Sequence, residues 1–421
     1  QEKSMRKSPG AFALAVSLVL FNAGALCQNL DERLTQVRAV QQRSETRAAF
    51  SYVDEHRDQI LHEWAELTEE NAPSGQEKKR AAYVFKLLKK LKLDELRYDG
   101  VGNLITVRKG TGGGPRVVFD AHLDTVFQPG LDIDPKIRDG RIYAPGVGDD
   151  TRNIEALLAS LRALDRARVR TKGDLVFVFT VDEERNLGGA EHFVSENKGK
   201  FDYYVALDGG HEGFTYGGIG INWYKHHFVG PGGHTRSRTP PYSATLPLAR
   251  AVARIYELEV PADPPSNINV GMLGAGEVVN AKAADAWFTL DLRSMSNEVM
   301  AELESQVAQI LKEEAERAGM TVRTELLSAS PAARLPGHRE SALVRTAEAV
   351  HLAMGFRNPP ITETGSNNSS AALREGIPSI STGAGQCGDA HALTEWCDIE
   401  SFYTGTKKVI LLELALAQLS E

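Results

Sequence analysis

Residues 117–124 read VVFDAHLD, in which a run of apolar residues leads directly into a histidine and an aspartate. Three later segments repeat this arrangement, with an apolar run before acidic or imidazole side chains: LVFVFTV before 182–184, YYVAL before Asp208, and PSISTGAGQ before 389–395. Short apolar runs of this kind are typical of buried strands. Because ligands bind outside the carboxyl ends of the strands in open α/β sheets, we expect these polar side chains to converge.

The order of the other elements predicts an α/β protein with a mainly parallel sheet flanked by helices. Strand-like runs alternate with helical patterns such as 150–167, which is typical of βα units. From about Gly218 the pattern changes to the strand-like segments WYKHHFVG, NINVGML, AWFTLDLRS and TVRTELLSA, with helices over 244–258 and 297–318. These elements predict a small α+β domain inserted into the first, and the parallel pattern resumes near Pro331.

The length and charge of the chain narrow the class of protein. With 421 residues the chain exceeds the usual size of a single hydrophobic core, so we expect two domains. A formal net charge of -8 does not favour nucleic-acid binding. We therefore expect no nucleic-acid partner.

The amino terminus has the pattern of an export signal. Met5-Arg6-Lys7 is a basic region, 11–21 is an apolar stretch too short to span a bilayer comfortably, and small residues follow at 23–25. Cleavage after Ala25 or after Cys27 satisfies the small-residue rule, and a lipid-modified Cys27 is an alternative. We expect a secreted or periplasmic protein with no stable membrane span after cleavage.

After cleavage, Cys387 and Cys397 would be the remaining cysteines. In an oxidising compartment they can form a disulfide across the loop that carries His391. The alternative is two unpaired, buried thiols, and the spacing in sequence does not decide between the two because it does not fix the Cα separation.

Two of the polar segments contain pairs with defined chemistry. His122 and Asp124 lie on the same side of an extended chain, so Asp124 can accept the second ring N–H of His122 and fix its tautomer. Asp149 and Asp150 lie in a turn before a helix, where a carboxylate can bridge two cations or cap the helix.

A third pair places two like charges next to each other. Glu183 and Glu184 follow a predicted strand, and adjacent carboxylates favour a bound cation or a shared proton. One of them can bind a metal while the other acts as a base. Taken singly, each pair is common on protein surfaces, but their occurrence together at strand ends indicates a metallohydrolase.

The ordered motifs resemble the family of co-catalytic zinc exopeptidases and amidohydrolases that includes peptidase T, glutamate carboxypeptidase and aminoacylase. The resemblance covers the chain from about Ala72 to the end. The motifs that carry it are NAPSGQE, DGVGNL, AHLDTVF, GVGDD, TVDEE, GPGGHT, NINVGMLGAGEVVNA, DLRS, GIPSISTGAG and AHALTEW. We expect the fold of this family, with the inserted domain serving as a lid or dimerisation domain.

Position by position, the resemblance implies two zinc ions bridged by Asp149, with cobalt or manganese as substitutes. It implies that His122 and Asp208 complete one metal site, and that Glu184 and His391 complete the other. Carboxylates and imidazoles are ligands that suit zinc, and no thiolate is needed.

The resemblance also implies roles for residues that do not bind metal. Glu183 would act as the general base, with Asp124 supporting the catalytic centre through His122. His234 would reach the active site of a partner subunit and stabilise the oxyanion, which implies a homodimer. Asn280 and Arg293 would hold the substrate, Arg293 through a carboxylate.

These implications divide the chain into four segments. We expect a signal peptide with its leading residues at 1–27, the first part of a catalytic domain at 28–217, the inserted domain at 218–328, and the second part of the catalytic domain at 329–421.

The substrate class is less closely defined by the sequence. Asp208-Gly209-Gly210 is closest to the peptidase T branch, which predicts an aminopeptidase or a di- or tripeptidase of short peptides. The lysine that often follows the GDD motif is replaced by Thr151-Arg152, and the usual GGTD near the last ligand reads GSNN at 365–368. An amidohydrolase of N-acyl amino acids is the alternative, and a binding protein that retains the fold is a third reading, which an intact ligand set does not favour.

Overall fold

The structure is a computed structural model that describes residues 30–420. The predicted signal peptide therefore lies outside the described residues. Between 30 and 420 no helix is long and apolar enough to cross a membrane.

The helices in this range are α1 (Leu30–Gln42), α2 (Ser44–Glu55), α3 (Arg57–Glu69), α4 (Lys78–Leu88), α5 (Arg152–Arg166), α6 (Glu183–Asn186), α7 (Gly188–Asn197), α8 (Thr245–Tyr256), α9 (Asn297–Ala318), α10 (Ala342–Ala353), α11 (Ser369–Arg374) and α12 (Ile399–Ala417).

An eight-stranded sheet carries the candidate site. In spatial order its strands are β1 (Glu95–Tyr98), β2 (Leu104–Arg108), β6 (Leu175–Thr180), β3 (Val117–His122), β7 (Tyr203–Ala206), β16 (Ser379–Ser381), β8 (Phe214–Thr215) and β15 (Ile361–Thr362). The central strands β6, β3, β7 and β16 are parallel, whereas antiparallel pairings occur towards the edges. The predicted α/β fold with a mainly parallel sheet is confirmed.

Helices cover both faces of this sheet, which explains why β3 and β6 are mostly apolar. Phe119 and Phe177 point to one face, where they belong to the same core cluster as residues of α5 and α12. Val118 and Val176 point to the other face and pack with residues of α7 and α11. Successive side chains of a strand alternate between faces, so burial on both faces favours apolar side chains at successive positions. Asp120 of β3 is an exception, and its buried carboxylate accepts hydrogen bonds from the side chains of Thr180 and Asn368.

A second, four-stranded antiparallel sheet forms the centre of the inserted region. Its strands, in spatial order, are β11 (Ser266–Ala275), β13 (Asp285–Ser294), β9 (Gly220–Val229) and β14 (Thr321–Ser330). Helices α8 and α9 pack on it around a separate core. The helix predicted over 297–318 is therefore α9. The boundaries of this domain, 218 and 328, stay a prediction.

Two small sheets complete the strand inventory of residues 30–420. Strands β10 (Gly233–His234) and β12 (Ala281–Lys282) form a ribbon in the inserted region. Strands β4 (Lys136–Arg138), β5 (Arg141–Tyr143), β18 (Trp396–Asp398) and β17 (Cys387–Gly388) form a sheet next to the candidate site. The second of these sheets holds the loop that contains His391.

Candidate metal centre

Asp149 lies between two imidazole rings. Its Oδ1 atom is 2.9 Å from Nε2 of His122, and its Oδ2 atom is 3.1 Å from Nε2 of His391. The same nitrogen of His391 is 3.3 Å from Oε2 of Glu184. Two groups of potential ligand atoms, each within 4.8 Å, therefore share Asp149: one includes His122 and Asp150, and the other includes Glu184 and His391.

The ends of two adjacent parallel strands position these groups. His122 is the last residue of β3, while Glu183 and Glu184 follow β6 at the same edge of the sheet. Asp124 connects the two strand ends, because its buried carboxylate accepts hydrogen bonds from the amides of Glu183 and Glu184 at 3.0 and 3.1 Å. It also accepts one from Oγ of Ser74 at 2.6 Å. Asp124 thus fixes the turn that carries the predicted base.

The orientation of the His122 ring is set mainly by the backbone of Asp124. Nδ1 of His122 lies 3.1 Å from the Asp124 carbonyl oxygen and 3.5 Å from its Oδ1. The sequence predicts the carboxylate of Asp124 as the acceptor, but this carboxylate accepts hydrogen bonds from the amides that follow β6. A ring N–H at Nδ1 that faces the carbonyl leaves the lone pair of Nε2 available to a cation beside Asp149.

More carboxylates meet here than the protein alone can keep ionised. Burial, with repulsion from Asp208 and Glu184, raises the pKa of Glu183 well above its usual value. Burial also raises the pKa of Glu184 to about 7, and burial together with the charge of Asp149 raises that of Asp208 to about 6. Within 30–420, Oε1 of Glu184 is buried without a hydrogen-bond partner. Bound cations would balance these charges and satisfy this oxygen, so the residues fit a metal centre.

The raised pKa values of the two imidazoles also show that the site favours positive charge. The hydrogen bond to Asp149 raises the pKa of His391 to about 9. For His122, burial disfavours the imidazolium, but the charge of Asp150 and hydrogen bonds to the neighbouring aspartates raise its pKa well above the usual value. In the protein without bound ions, protons on these rings therefore supply part of the charge that metal ions would bring.

Asp208 and Asp150 differ from the sequence-based expectation in their placement. Asp208 follows β7 and lines a cavity together with Asp149, but it belongs to neither of the two groups of ligand atoms. Asp150 lies in the first group, although its carboxylate also accepts a hydrogen bond from the His122 amide at 3.0 Å and one from Asn153. Asp150 is therefore not a helix cap. It holds the end of β3 against the start of α5.

Glu395 is a further residue of the site, and the sequence analysis assigned it no role. It is 1% exposed, and its two carboxylate oxygens accept hydrogen bonds from the amides of Gly146, Gly148 and Asp149 at 2.6, 2.8 and 2.8 Å. A Cβ atom on Gly148 would come within 2.8 Å of Oε1 of Glu395. Its position four residues after His391 was the available signal, but the contact is made to backbone atoms, which motifs do not reveal.

The three residues expected from the inserted domain lie apart from this cluster in the chain. His234 is exposed on the β10–β12 ribbon, where its Nδ1 accepts a hydrogen bond from the Arg236 amide at 3.1 Å. The carbonyl of Asn280 accepts one from the Thr235 amide at 3.2 Å. Arg293 lies on β13 and forms an ion pair with Asp291 at 3.1 Å. The predicted roles of His234, Asn280 and Arg293 stay predictions.

Cys387 and Cys397 form a disulfide bond. The two residues are directly paired on β17 and β18, and the loop between these strands carries His391. Of the two alternatives left open by the sequence, the structure shows the disulfide. It closes the loop that contains both His391, a potential metal ligand, and Glu395.

Residues 118–412 match the model of peptidase family M20/M25/M40, and the chain belongs to this family. The match confirms the resemblance inferred from the motifs and the prediction of a metal-dependent hydrolase. The predicted cofactor, a pair of zinc ions, agrees with this family and with the two donor groups that share Asp149.

Individual relatives are more distant. Over 204 residues the chain is 26% identical to carboxypeptidase G2 of Pseudomonas sp. (strain RS-16), covering 47% of this chain and 48% of that protein. Over 97 residues it is 35% identical to succinyl-diaminopimelate desuccinylase of Herminiimonas arsenicoxydans, covering 22% of this chain and 25% of that protein. The chain thus spans about half or less of the length of these relatives.

A solved structure extends the similarity of the fold to nearly the full length of another protein. Aminopeptidase PepT from Bacillus cereus ATCC 10987 matches with a TM-score of 0.74 and 22% identity, covering 86% of this chain and 99% of that chain. At this level of identity the match shows the shared fold.

Proposed function

We propose that the protein is a dinuclear zinc exopeptidase that removes residues from the amino terminus of short peptides. The observation that carries the proposal is the placement of Asp149, whose two carboxylate oxygens face His122 and His391 while Glu183 lies buried beside them. A carboxylate with two such neighbours is suited to bridging two cations.

In this proposal His122, Asp149 and Asp208 hold one zinc ion, and Asp149, Glu184 and His391 hold the other. The bound ions would lower the pKa of a water molecule to about 7 and polarise the scissile carbonyl. Glu395 and Asp124 hold the two turns on which these ligands lie, and they keep the donor atoms in place before an ion arrives.

Glu183 receives the proton of the attacking water and delivers it to the leaving amine. Its backbone is fixed by Asp124, and its side chain is buried in the cluster. A base that takes the proton from water and passes it to the departing amine performs general acid–base catalysis.

The inserted domain completes the site from a second subunit. His234 is exposed in the single chain and makes no hydrogen bond with the metal-centre residues among those described, so it is available to stabilise an oxyanion in a partner. Strand β11 is an edge of its sheet and carries the exposed residues Met272 and Leu273. Pairing this edge with its symmetry copy would cover it and form a homodimer. Asn280 and Arg293 would then hold the carboxylate of the leaving part of the substrate.

Hydrolysis of N-acyl amino acids is the second candidate function. It is supported by the partial similarity to a succinyl-diaminopimelate desuccinylase. The two functions differ in whether the substrate needs a free α-amino group.

Location outside the cytoplasm is also part of the proposal. The basic and apolar segments before Cys27 have the pattern of an export signal. The Cys387–Cys397 disulfide supports this, because disulfides persist mainly in oxidising compartments.

A substrate screen tests the proposed function. Short peptides and N-acyl amino acids are incubated with protein that has been stripped with a chelator and reloaded with zinc, cobalt or manganese. We expect metal-dependent release of amino-terminal residues from di- and tripeptides. Turnover of N-acyl amino acids alone would favour the second candidate, and turnover without metal would contradict both.

A further inference from the structure

A cavity of about 540 Å³ lies next to the proposed metal centre. Asp149 and Asp208 form part of its wall, and Arg152, His211 and Gln386 also line it. Its volume falls within the range of about 300 to 1,000 Å³ that is usual for small-ligand sites. The cavity is therefore large enough for a substrate group next to the reacting bond.

Arg152 is a buried cation in the wall of this cavity with few partners. The residue is 6% exposed, and its Nη2 atom donates a hydrogen bond to the Gly209 carbonyl at 2.6 Å. Among the described residues 30–420, its Nε atom is buried without a hydrogen-bond partner. The charges of Asp150 and Asp208 act on this guanidinium without a direct hydrogen bond to it. An anion in the cavity would therefore give Arg152 a charge-assisted hydrogen-bond partner.

The surrounding backbone is shaped around this side chain. A Cβ atom on Gly383 would approach Nη2 of Arg152 to 2.5 Å, so any larger residue there would displace the guanidinium. Arg152 is also the first residue of α5, directly after the turn that carries Asp149. The guanidinium therefore has a fixed place relative to the proposed metal centre.

Arg152 is the cationic side chain among the described residues that line this cavity. The wall also carries the carboxylates of Asp149, Asp208, Glu212 and Glu395. In the proposed enzyme zinc ions would take up the charges of Asp149 and Asp208, and the carboxylate of Glu395 accepts hydrogen bonds from three backbone amides. Burial, followed by the charge of Lys408, lowers the pKa of His211 to about 3, so this ring adds no positive charge. Arg152 is therefore the group in this wall that can pair with an anion.

We propose that this cavity binds a carboxylate on the acyl side of the scissile bond and that Arg152 selects for it. The substrates would be peptides with an amino-terminal acidic residue, or amino acids acylated with a dicarboxylic acid. The assignment to the acyl side rests on the proposed function, in which Asn280 and Arg293 of the inserted domain hold the leaving part.

The test compares substrates that differ by one charge. Glu-Ala is compared with Gln-Ala, and N-succinyl-alanine with its neutral succinamide counterpart, using zinc-loaded full-length protein. We expect kcat/KM to be roughly 10 to 100 times higher for the acidic member of at least one pair, as for a charge-assisted hydrogen bond. The pair that shows the preference identifies the source of the carboxylate.

Variants of Arg152 separate selection from a structural role. Arg152→Gln should abolish the preference, chiefly by raising KM of the acidic substrate more than KM of the neutral one, while zinc content remains close to wild type. Arg152→Lys should retain part of the preference. Arg166→Gln is the matched control, because Arg166 is exposed at the other end of the same helix.

A binding measurement gives a readout that does not depend on turnover. Glutarate and pentanoate each carry one carboxylate that can reach the zinc ions, but only glutarate carries a second, so calorimetry should show tighter binding of glutarate to wild type than to Arg152→Gln. The proposal is overturned if kcat/KM is equal within both pairs and the two acids bind equally. It is also overturned if Arg152→Gln loses the same activity towards acidic and neutral substrates. If no peptide or N-acyl amino acid is hydrolysed, the proposed function fails, whereas hydrolysis without charge preference refutes this inference alone.

Discussion

The backbone amide of Asp149 donates a 2.8 Å hydrogen bond to the carboxylate of Glu395, a residue 246 positions away in the sequence. The same carboxylate also accepts the amides of Gly146 and Gly148. Asp149 lies between the two imidazoles, and the buried carboxylate of Glu395 therefore holds it through its backbone amide. We infer that Glu395 is a positioning residue whose removal would leave the ligands present but misaligned.

Glu395→Gln should weaken zinc binding by roughly 10- to 100-fold, the range seen when groups that orient metal ligands are lost. The amide has one acceptor oxygen in place of two, and its NH2 group would face a backbone donor. Zinc affinity is measured by competition with a chelating dye, with Glu259→Gln as an exposed control. Unchanged affinity in Glu395→Gln would remove its positioning role.

Loss of the disulfide should destabilise the protein and loosen the His391 loop. The bond closes a short loop, for which the entropic contribution is about 3 kcal/mol. We expect the double variant Cys387→Ser, Cys397→Ser to unfold at lower denaturant concentration and to lose zinc faster to a chelator. Reductant should affect wild type in the same way and leave the double variant unchanged. Equal stability and zinc retention in all samples would show that the disulfide does not stabilise the His391 loop.

The burial of Glu413 predicts that the stability of the protein falls as pH rises from 4.5 to about 8. Glu413 lies buried between α12 and α5, where Oε1 accepts a hydrogen bond from Ser160 at 2.7 Å, and burial raises its pKa from 4.5 to about 8. Between these two values the folded state binds more protons than the unfolded state, so the free energy of unfolding falls as pH rises through this window.

Replacement of this acid should remove the part of that fall that Glu413 causes. Glu413→Gln should stabilise the protein at pH 8.5 by up to a few kcal/mol, at about 1.4 kcal/mol per unit of pKa shift. At pH 4.5 or below the two proteins should be similar. Urea unfolding at both pH values gives the difference, and an equal effect of the variant at both would contradict the assignment.

Subunit mixing tests the predicted contribution of His234 to a partner. His234→Ala and Glu183→Ala homodimers should each be nearly inactive, but a heterodimer would have one site with both residues intact. Activity per heterodimer should therefore recover to about half that of a wild-type dimer, by counting sites in a two-fold arrangement. A fully active monomer, or no recovery after subunit exchange has been verified, would show that His234 does not act across an interface.

The buried strands and long helices could be read from the sequence because their patterns are local. Strands β3 and β6 consist mainly of apolar residues and end at polar ones. Helix α9 begins after Ser296, whose side chain accepts a hydrogen bond from the Val299 amide. The stretch from Asp31 to Asn71 has a polar helical pattern without an evident break, yet it forms three helices, α1 to α3. Their breaks, at Arg43 and His56, contain neither glycine nor proline to mark them.

The metal-centre residues could be identified from the sequence, whereas the contacts that support them could not. His122, Asp149, Glu184 and His391 belong to motifs whose chemistry is visible in the side chains themselves. The roles of Asp150 and Glu395 depend on which backbone amides come near them, and this follows from the three-dimensional arrangement of β3, α5 and the disulfide loop. Strands β8 and β15 contain two residues each, too few to produce a periodic pattern.

In the proposed metal centre Glu183 moves the proton and Asp149 holds both ions. Asp149→Ala should therefore lose zinc along with activity, because its two oxygens serve both donor groups. Persistence of two tightly held zinc ions in this variant would contradict the bridging role.

The most direct test measures zinc content and turnover of Glu183→Gln in the same sample. The side chain keeps its size but cannot accept the proton of the attacking water, so we predict two zinc ions per chain and a turnover reduced by about 10²- to 10⁴-fold. Near-normal turnover in a fully zinc-loaded Glu183→Gln protein would contradict the account.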